Sequence, residues 1–283
     1  MKTHIFLILL VLQSSIISAQ NAFKSEVSGS GQSIMFLPGF TCPGEIWKPT
    51  LRRLENHTGS FESHLITYAG FNKITPIDTP WYQSIRDELI VYIGEHPSNN
   101  WMLIGHSMGG NLAIDIAAKL PQKINKVILA ESIPCMREII MPGVPKEAIQ
   151  YQSTYNQQTL NMDTEDLRKM AEMMAANMTM KEDRVKELIN WTMESDRKTY
   201  VYGYTDLMRL DQRPLLEFIE ADVLILGAPF PDASLVRSNY EKQYENLDRK
   251  QIQIAKDSKH FLMWDQEAWF YEKLTSFLRA DAD

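Results

Sequence analysis

The chain has 283 residues, 44% of them hydrophobic and 23% charged, the make-up of a globular protein with room for one large domain or a domain carrying an insertion. Its formal charge of −7, with no basic block beyond the first residues, argues against nucleic acid or an anionic membrane surface as partner. No repeat, low-complexity tract or metal-ligand spacing such as HExxH or CxxC is present, so no metal site is expected.

In chain order, residues 1–19 read as an export signal. Lys2 supplies the positive start, Ile5 to Leu12 is an apolar run too short to span a bilayer, and Ser18-Ala19 offers small residues for cleavage. The expectation is an exported protein, periplasmic or secreted, with no membrane insertion once the signal is removed. Export makes a disulfide between Cys42 and Cys135 possible, two buried thiols being the alternative. Sequons at Asn56, Asn177 and Asn190 matter only in a host that glycosylates its secretory proteins.

Past the signal, short apolar runs bounded by turn residues alternate with helical patterns, the signature of a mostly parallel sheet covered by helices on both faces. The runs are Ser33–Leu37, His64–Tyr68, Trp101–Ile104, Lys126–Ala130, Val223–Leu226 and Gln251–Ala255. Between them, Thr79-Pro80 reads as the N-cap and first residue of a helix to about Ile93. Ser107 to Leu120 carries one apolar face, and a final helix runs from about Gln266 to Leu278. The rhythm breaks over residues 134–210, where helical pieces such as Thr164–Asn177 and Lys181–Met193 hold Met162, Met170, Met173, Met174, Met178, Met180 and Met193. This stretch is expected to form a helical cap on a core of residues 20–133 and 211–283. A few of its pliable methionines should face a ligand pocket and the rest fill the cap's own core.

Gly105-His106-Ser107-Met108-Gly109-Gly110 joins a buried strand to an amphipathic helix, the setting a nucleophile elbow requires. The serine hydroxyl must project from a tight turn, with Gly105 and Gly109 giving the crowded backbone room. Such a serine needs a base, and His260 is the histidine that follows the last predicted strand. His106 reads as packing beside the nucleophile, and His57, His64 and His96 as surface or core residues. Two N–H donors must meet the oxyanion: Met108, just after the nucleophile, and Phe40 in the Pro38-Gly39-Phe40 loop.

FLPGF, GHSMGG and KHFLMWDQEAWFYEKLTSFL, in this order, resemble the α/β-hydrolase superfamily, specifically its capped, esterase-like members, over about residues 32 to 279. The resemblance implies an α/β-hydrolase fold, a Ser-acid-His triad, no cofactor, and a substrate held between sheet edge and cap. The superfamily's usual acid follows the strand after the cap; here Asp232 arrives later than usual. Glu131, directly after Lys126–Ala130, is the rival, and Asp211 reads as a residue tying the cap back. If strand order follows the superfamily, Cys42 and Cys135 lie on neighbouring loops, and a disulfide would pin the cap root to the oxyanion loop.

The expected function is hydrolysis of a carboxylic ester, lactone or thioester of a small apolar molecule through an acyl-enzyme on Ser107, with Phe40, Trp47 and the cap methionines accommodating the apolar group. The alternatives are C–C hydrolysis or perhydrolysis on the same fold, or a slow ligand-binding protein. Oligomeric state is not legible.

Overall fold

The computed structural model describes residues 21–58 and 60–279. The expected export signal lies outside them.

Seven strands form one sheet in the order β1-β3-β2-β4-β5-β6-β7. They are β1 Phe23–Gly29, β2 Gln32–Leu37, β3 Phe61–Tyr68, β4 Trp101–His106, β5 Ile124–Ala130, β6 Asp222–Gly227 and β7 Lys250–Ile254. Only β1 runs antiparallel, against β3; every other pair is parallel. The central strands are apolar on both faces because helices cover both. Met35, Leu37, Leu103, Val127, Leu129 and Ile225 point into one layer. Their neighbours Ile34, Phe36, Met102, Ile104, Ile128, Leu224 and Leu226 point into the other, as the two-residue strand period demands.

The first layer is closed by α2 (Trp81–Glu95), α3 (Met108–Lys119) and α9 (Ala233–Gln243), the second by α1 (Lys48–Thr58) and α11 (Glu267–Arg279). Trp47 is fully buried in the second layer, beside Phe36. Five helices intervene between β5 and β6: α4 (Met136–Ile140), α5 (Thr154–Asn161), α6 (Thr164–Met178), α7 (Glu182–Glu194) and α8 (Arg197–Arg209). The short α10 (Leu262–Asp265) precedes α11.

Two details differ from the sequence reading. Strand β1 was not expected, because its seven residues alternate without an apolar run and sit at the sheet edge with most side chains outside the core. Helix α2 begins at Trp81 with no side-chain cap from its own N-cap residue. Its first turn is satisfied instead from the far end of the chain, where buried Asp206 of α8 accepts the Tyr82 N–H at 3.0 Å.

The sheet register determines where chemistry can gather. Leu37 pairs with Gly105, His106 with Ala130, Ala130 with Leu226, and Gly227 with Ile254. The residues that follow these strand ends therefore emerge along one edge, which is where ligands bind in open parallel sheets.

Candidate active site

Ser107 stands between β4 and α3 at φ 53° and ψ −123°, in the region that L side chains rarely adopt. The turn is held by Ser107 N–H donating to the Ala130 carbonyl and by Gly110 N–H donating to the Ser107 carbonyl, both at 2.9 Å. Such a backbone costs about 1–3 kcal/mol and persists where surrounding structure over-determines it. Gly105 and Gly109 make the turn possible. A Cβ on Gly105 would lie 2.4 Å from the Gly109 carbonyl oxygen, and one on Gly109 would lie 2.1 Å from that of Leu37.

His260, which lines the same cavity as Ser107, has its Nδ1 3.2 Å from Glu131 Oε2. Glu131 leaves the end of β5 at φ 50°, its N–H held by the Leu226 carbonyl. Its other oxygen accepts from the Ala228 N–H at 2.5 Å and the buried Tyr240 hydroxyl at 3.1 Å. Burial and the adjacent Glu131 push the Tyr240 hydroxyl well above the ordinary phenol range, so it remains a donor. Two donors on one oxygen thus orient the carboxylate toward the imidazole. Nothing in residue spacing marks Ala228 or Tyr240 for this task.

Asp232 is elsewhere. It is the N-cap of α9, exposed, with its carboxylate accepting from the Ser234 hydroxyl and from the Ser234 and Leu235 N–H groups. These contacts, the Ser234 hydroxyl first, hold its pKa below the usual carboxylate value. The residue preferred as third member from sequence is thereby occupied with starting a helix, and its rival lies on the histidine. Asp211 pairs with Arg213 at 2.6 Å, between α8 and β6.

His106 is fully enclosed, its ring 4.7 Å from that of His260 and 4.6 Å from that of Phe261. Burial, and then the nearby His260, hold it well below the ordinary imidazole value, so it is neutral. Nε2 lies 2.9 Å from the His260 carbonyl and can only donate to it. Its Nδ1 is then an acceptor, buried without a partner.

The Phe40 N–H has no acceptor among the described residues, and that of Met108 opens α3, where no intrahelical acceptor exists. The Phe40 side chain is gripped from both sides. Phe71 and Trp81 of the core lie 4.9 and 5.6 Å from it, and Tyr200 and Tyr204 of α8 lie 5.8 and 6.1 Å from it.

Ser107, His106, His260, Gly39 and Phe40 line one cavity of about 220 Å³. Its roof is Met136 of α4, Ala171, Met174, Ala175 and Met178 of α6, Leu188 and Thr192 of α7, and Tyr200, Tyr204 and Leu207 of α8. Among the described residues, no Lys, Arg, Asp or Glu lines it. Of the methionines singled out between residues 134 and 210, Met174 and Met178 reach the cavity while Met173 and Met180 are exposed. Trp47, expected near the apolar group, is not in the wall.

Cys42 and Cys135 are both buried and both free. Gln243 clamps the Cys135 backbone to α9, accepting its N–H and donating to its carbonyl. Cys42 lines the cavity, where burial drives its thiol far above the ordinary range and leaves it unreactive. Of the two alternatives open from sequence, the structure has the pair of buried free thiols.

Away from the cavity, Glu62, His64 and His96 are the one set of potential metal ligands among the described residues. Glu62 Oε1 lies 3.0 Å from His64 Nε2 and 2.8 Å from His96 Nε2. The Ser98 N–H donates to His96 Nδ1, which puts the His96 proton on Nε2, facing the carboxylate. That tautomer makes the trio a hydrogen-bonded group and not a ligand set.

Residues 34–273 match the alpha/beta hydrolase family. The chain belongs to that family. It is 26% identical over 203 residues to a pimeloyl-[acyl-carrier protein] methyl ester esterase of Shewanella woodyi, covering 69% of this chain and 74% of that protein. Among solved structures it resembles the esterase EaEST from Exiguobacterium antarcticum, with a TM-score of 0.73 and 20% identity over 91% of this chain and 95% of the other. It also resembles a bromoperoxidase from Bacillus anthracis, with a TM-score of 0.75 and 19% identity over the same shares of the two chains. At these identities the structural likenesses establish the fold alone. Among the described residues, no helix of this family member is long and apolar enough to cross a membrane.

Proposed function

We propose that this family member is an exported serine esterase acting on small, uncharged, apolar esters. The observation that carries the reading is that Ser107, on a strained elbow, shares one apolar cavity with a histidine whose ring is hydrogen-bonded to a buried-side carboxylate. His260 takes the proton from Ser107 Oγ as that oxygen attacks the ester carbonyl carbon. Glu131, fixed by Ala228 and Tyr240, holds the proton on Nδ1 and stabilises the imidazolium that forms. The oxyanion is met by the N–H groups of Phe40 and Met108. Collapse of the tetrahedral adduct expels the alcohol, which takes its proton from His260, and water then releases the acid from Ser107 by the same steps.

An apolar cavity of about 150 Å³ takes a benzene molecule, so this one suits groups of about four to eight carbons. The absence of a fixed charge in its wall favours neutral groups over anionic ones. The ester-cleaving relatives accord with this chemistry; their acyl-carrier substrates are theirs.

The test is hydrolysis of p-nitrophenyl esters from acetate to dodecanoate by wild type and Ser107→Ala. Turnover peaking between butyrate and octanoate, and lowered at least about 10³-fold in the variant, is the expected result. Equal turnover by the variant would remove Ser107 from the chemistry.

A further inference from the structure

His260 is not carried on a free loop. The segment between β7 and α10 is tied to the C-terminal end of α6 on both sides of the base. Phe261 N–H donates to the Met178 carbonyl at 3.1 Å, and the Lys259 ammonium to the Ala176 carbonyl at 2.6 Å. Asp265 bridges the two parts. Its Oδ2 accepts the Lys259 N–H at 2.8 Å, while Oδ1 accepts the Thr179 hydroxyl at 2.6 Å and the Met180 N–H at 3.0 Å. The helix latched in this way is the one that places Ala171, Met174, Ala175 and Met178 in the cavity wall.

We propose that Asp265 is a positioning residue that locks the His260 loop to the end of α6, so that the seating of the cap sets where the imidazole stands over Ser107. The proposal rests on the reading of Ser107 and His260 given above. On the core side His260 is held at two points, its ring Nδ1 by Glu131 and its backbone carbonyl by His106. Neither fixes the loop against sliding along the edge of the sheet. The Asp265 bridge does so, and it does so from the cap. A helix that touches substrate and also anchors the base transmits cavity filling to the base. A displacement of 1 Å at a reacting group costs roughly 10²-fold in rate, so a small slackening suffices to be seen.

Thr179→Val removes the hydroxyl that Asp265 accepts and keeps the buried volume; Thr179→Ser keeps the hydroxyl; Asp265→Asn faces an amide N–H₂ against one of its donors. In Thr179→Val and Asp265→Asn, kcat on p-nitrophenyl butyrate should fall about ten-fold or more with KM changed less than two-fold, and Thr179→Ser should retain wild-type kcat. A second readout needs no turnover. The proton on His260 Nδ1, in its bond to Glu131, should broaden in the NMR spectrum of both low-activity variants and stay sharp in Thr179→Ser. If wild type hydrolysed no ester, this resonance would still report the latch, separating its failure from that of the esterase reading. An unchanged resonance with wild-type kcat in Thr179→Val would overturn the proposal. So would equal losses in Thr179→Val and Thr179→Ser tracking a lowered Tm, which would make the bridge merely structural.

Discussion

Helices α6 and α8 both wall the cavity, but they are attached to the rest of the molecule in opposite ways. Along α8, buried Gly203 rests against the core. A Cβ there would lie 2.9 Å from Trp81 and 3.0 Å from Phe40. Asp206 satisfies the start of α2 and accepts the Tyr151 hydroxyl, and the Asp196 N–H, at the helix N-cap, donates to the Gly70 carbonyl. Helix α6 buries only Leu167, Ala171 and Ala175, leaves Met173 exposed, and meets the core through its C-terminal end. One wall is therefore aromatic and fixed; the other is methionine-rich and held at one end. In the proposed esterase, a rigid wall beside the Phe40 loop would preserve the N–H geometry at the oxyanion, and a pliable wall opposite would let apolar groups of different shape fit.

The comparison can be broken by adding volume to each wall. Gly203→Val drives methyl groups into Trp81 and Phe40, and should cost about 1–3 kcal/mol with a loss of kcat as the Phe40 N–H moves. Ala175→Val adds similar bulk to α6 and should cost less than about 1 kcal/mol, because that helix can yield. Calorimetry and ester kinetics on both proteins decide, and equal destabilisation would mean the walls are equally rigid. The comparison is sharpened by truncating the pliable wall. Met174→Ala with Met178→Ala should raise the preferred acyl length by two or more carbons in the p-nitrophenyl series, with Ser107 labelling by a fluorophosphonate kept within a few-fold of wild type. An unchanged preference would place the chain elsewhere.

A smaller effect tests the floor beneath both walls. Burial and the adjacent His260 keep His106 below the ordinary imidazole pKa, so the unfolded chain takes up a proton near pH 6.5 that the folded chain refuses. The stability this neutral form allows is present above that pH and is lost as pH falls. His106→Gln retains a donor for the His260 carbonyl and cannot titrate. Between pH 7 and 5 its urea midpoint should fall less steeply than that of wild type, by up to one proton, or about 1.4 kcal/mol per pH unit. Parallel slopes would mean that His106 is charged in the folded protein.

Much of this molecule was legible because its buried strands are short apolar runs between turn residues, and because α6, α7 and α11 carry an uninterrupted helical period. The placement of Ser107 on a strand-to-helix turn and of His260 at the same cavity was legible for a related reason: an elbow and a histidine after the last strand are local patterns. What was not legible depends on contacts between distant residues. The start of α2 is satisfied by Asp206, 124 residues away. Strand β1 earns its place by pairing with β3 and not by burying an apolar face. Which carboxylate meets His260 turns on two local conformations, the left-handed backbone of Glu131 and the helix start that engages Asp232. A polar residue directly before the Ala233–Gln243 helical pattern was the one available signal that Asp232 serves as a cap. Whether Cys42 and Cys135 pair was left open by sequence, since neighbouring loops need not bring two sulfurs together; both are buried and free.

The most direct measurement of the central claim is kcat on p-nitrophenyl butyrate for Glu131→Gln beside Asp232→Asn. The arrangement of His260, Glu131, Ala228 and Tyr240 predicts a loss of about 10²–10⁴-fold in Glu131→Gln and a change of less than about two-fold in Asp232→Asn. Full activity in Glu131→Gln with a large loss in Asp232→Asn would contradict it.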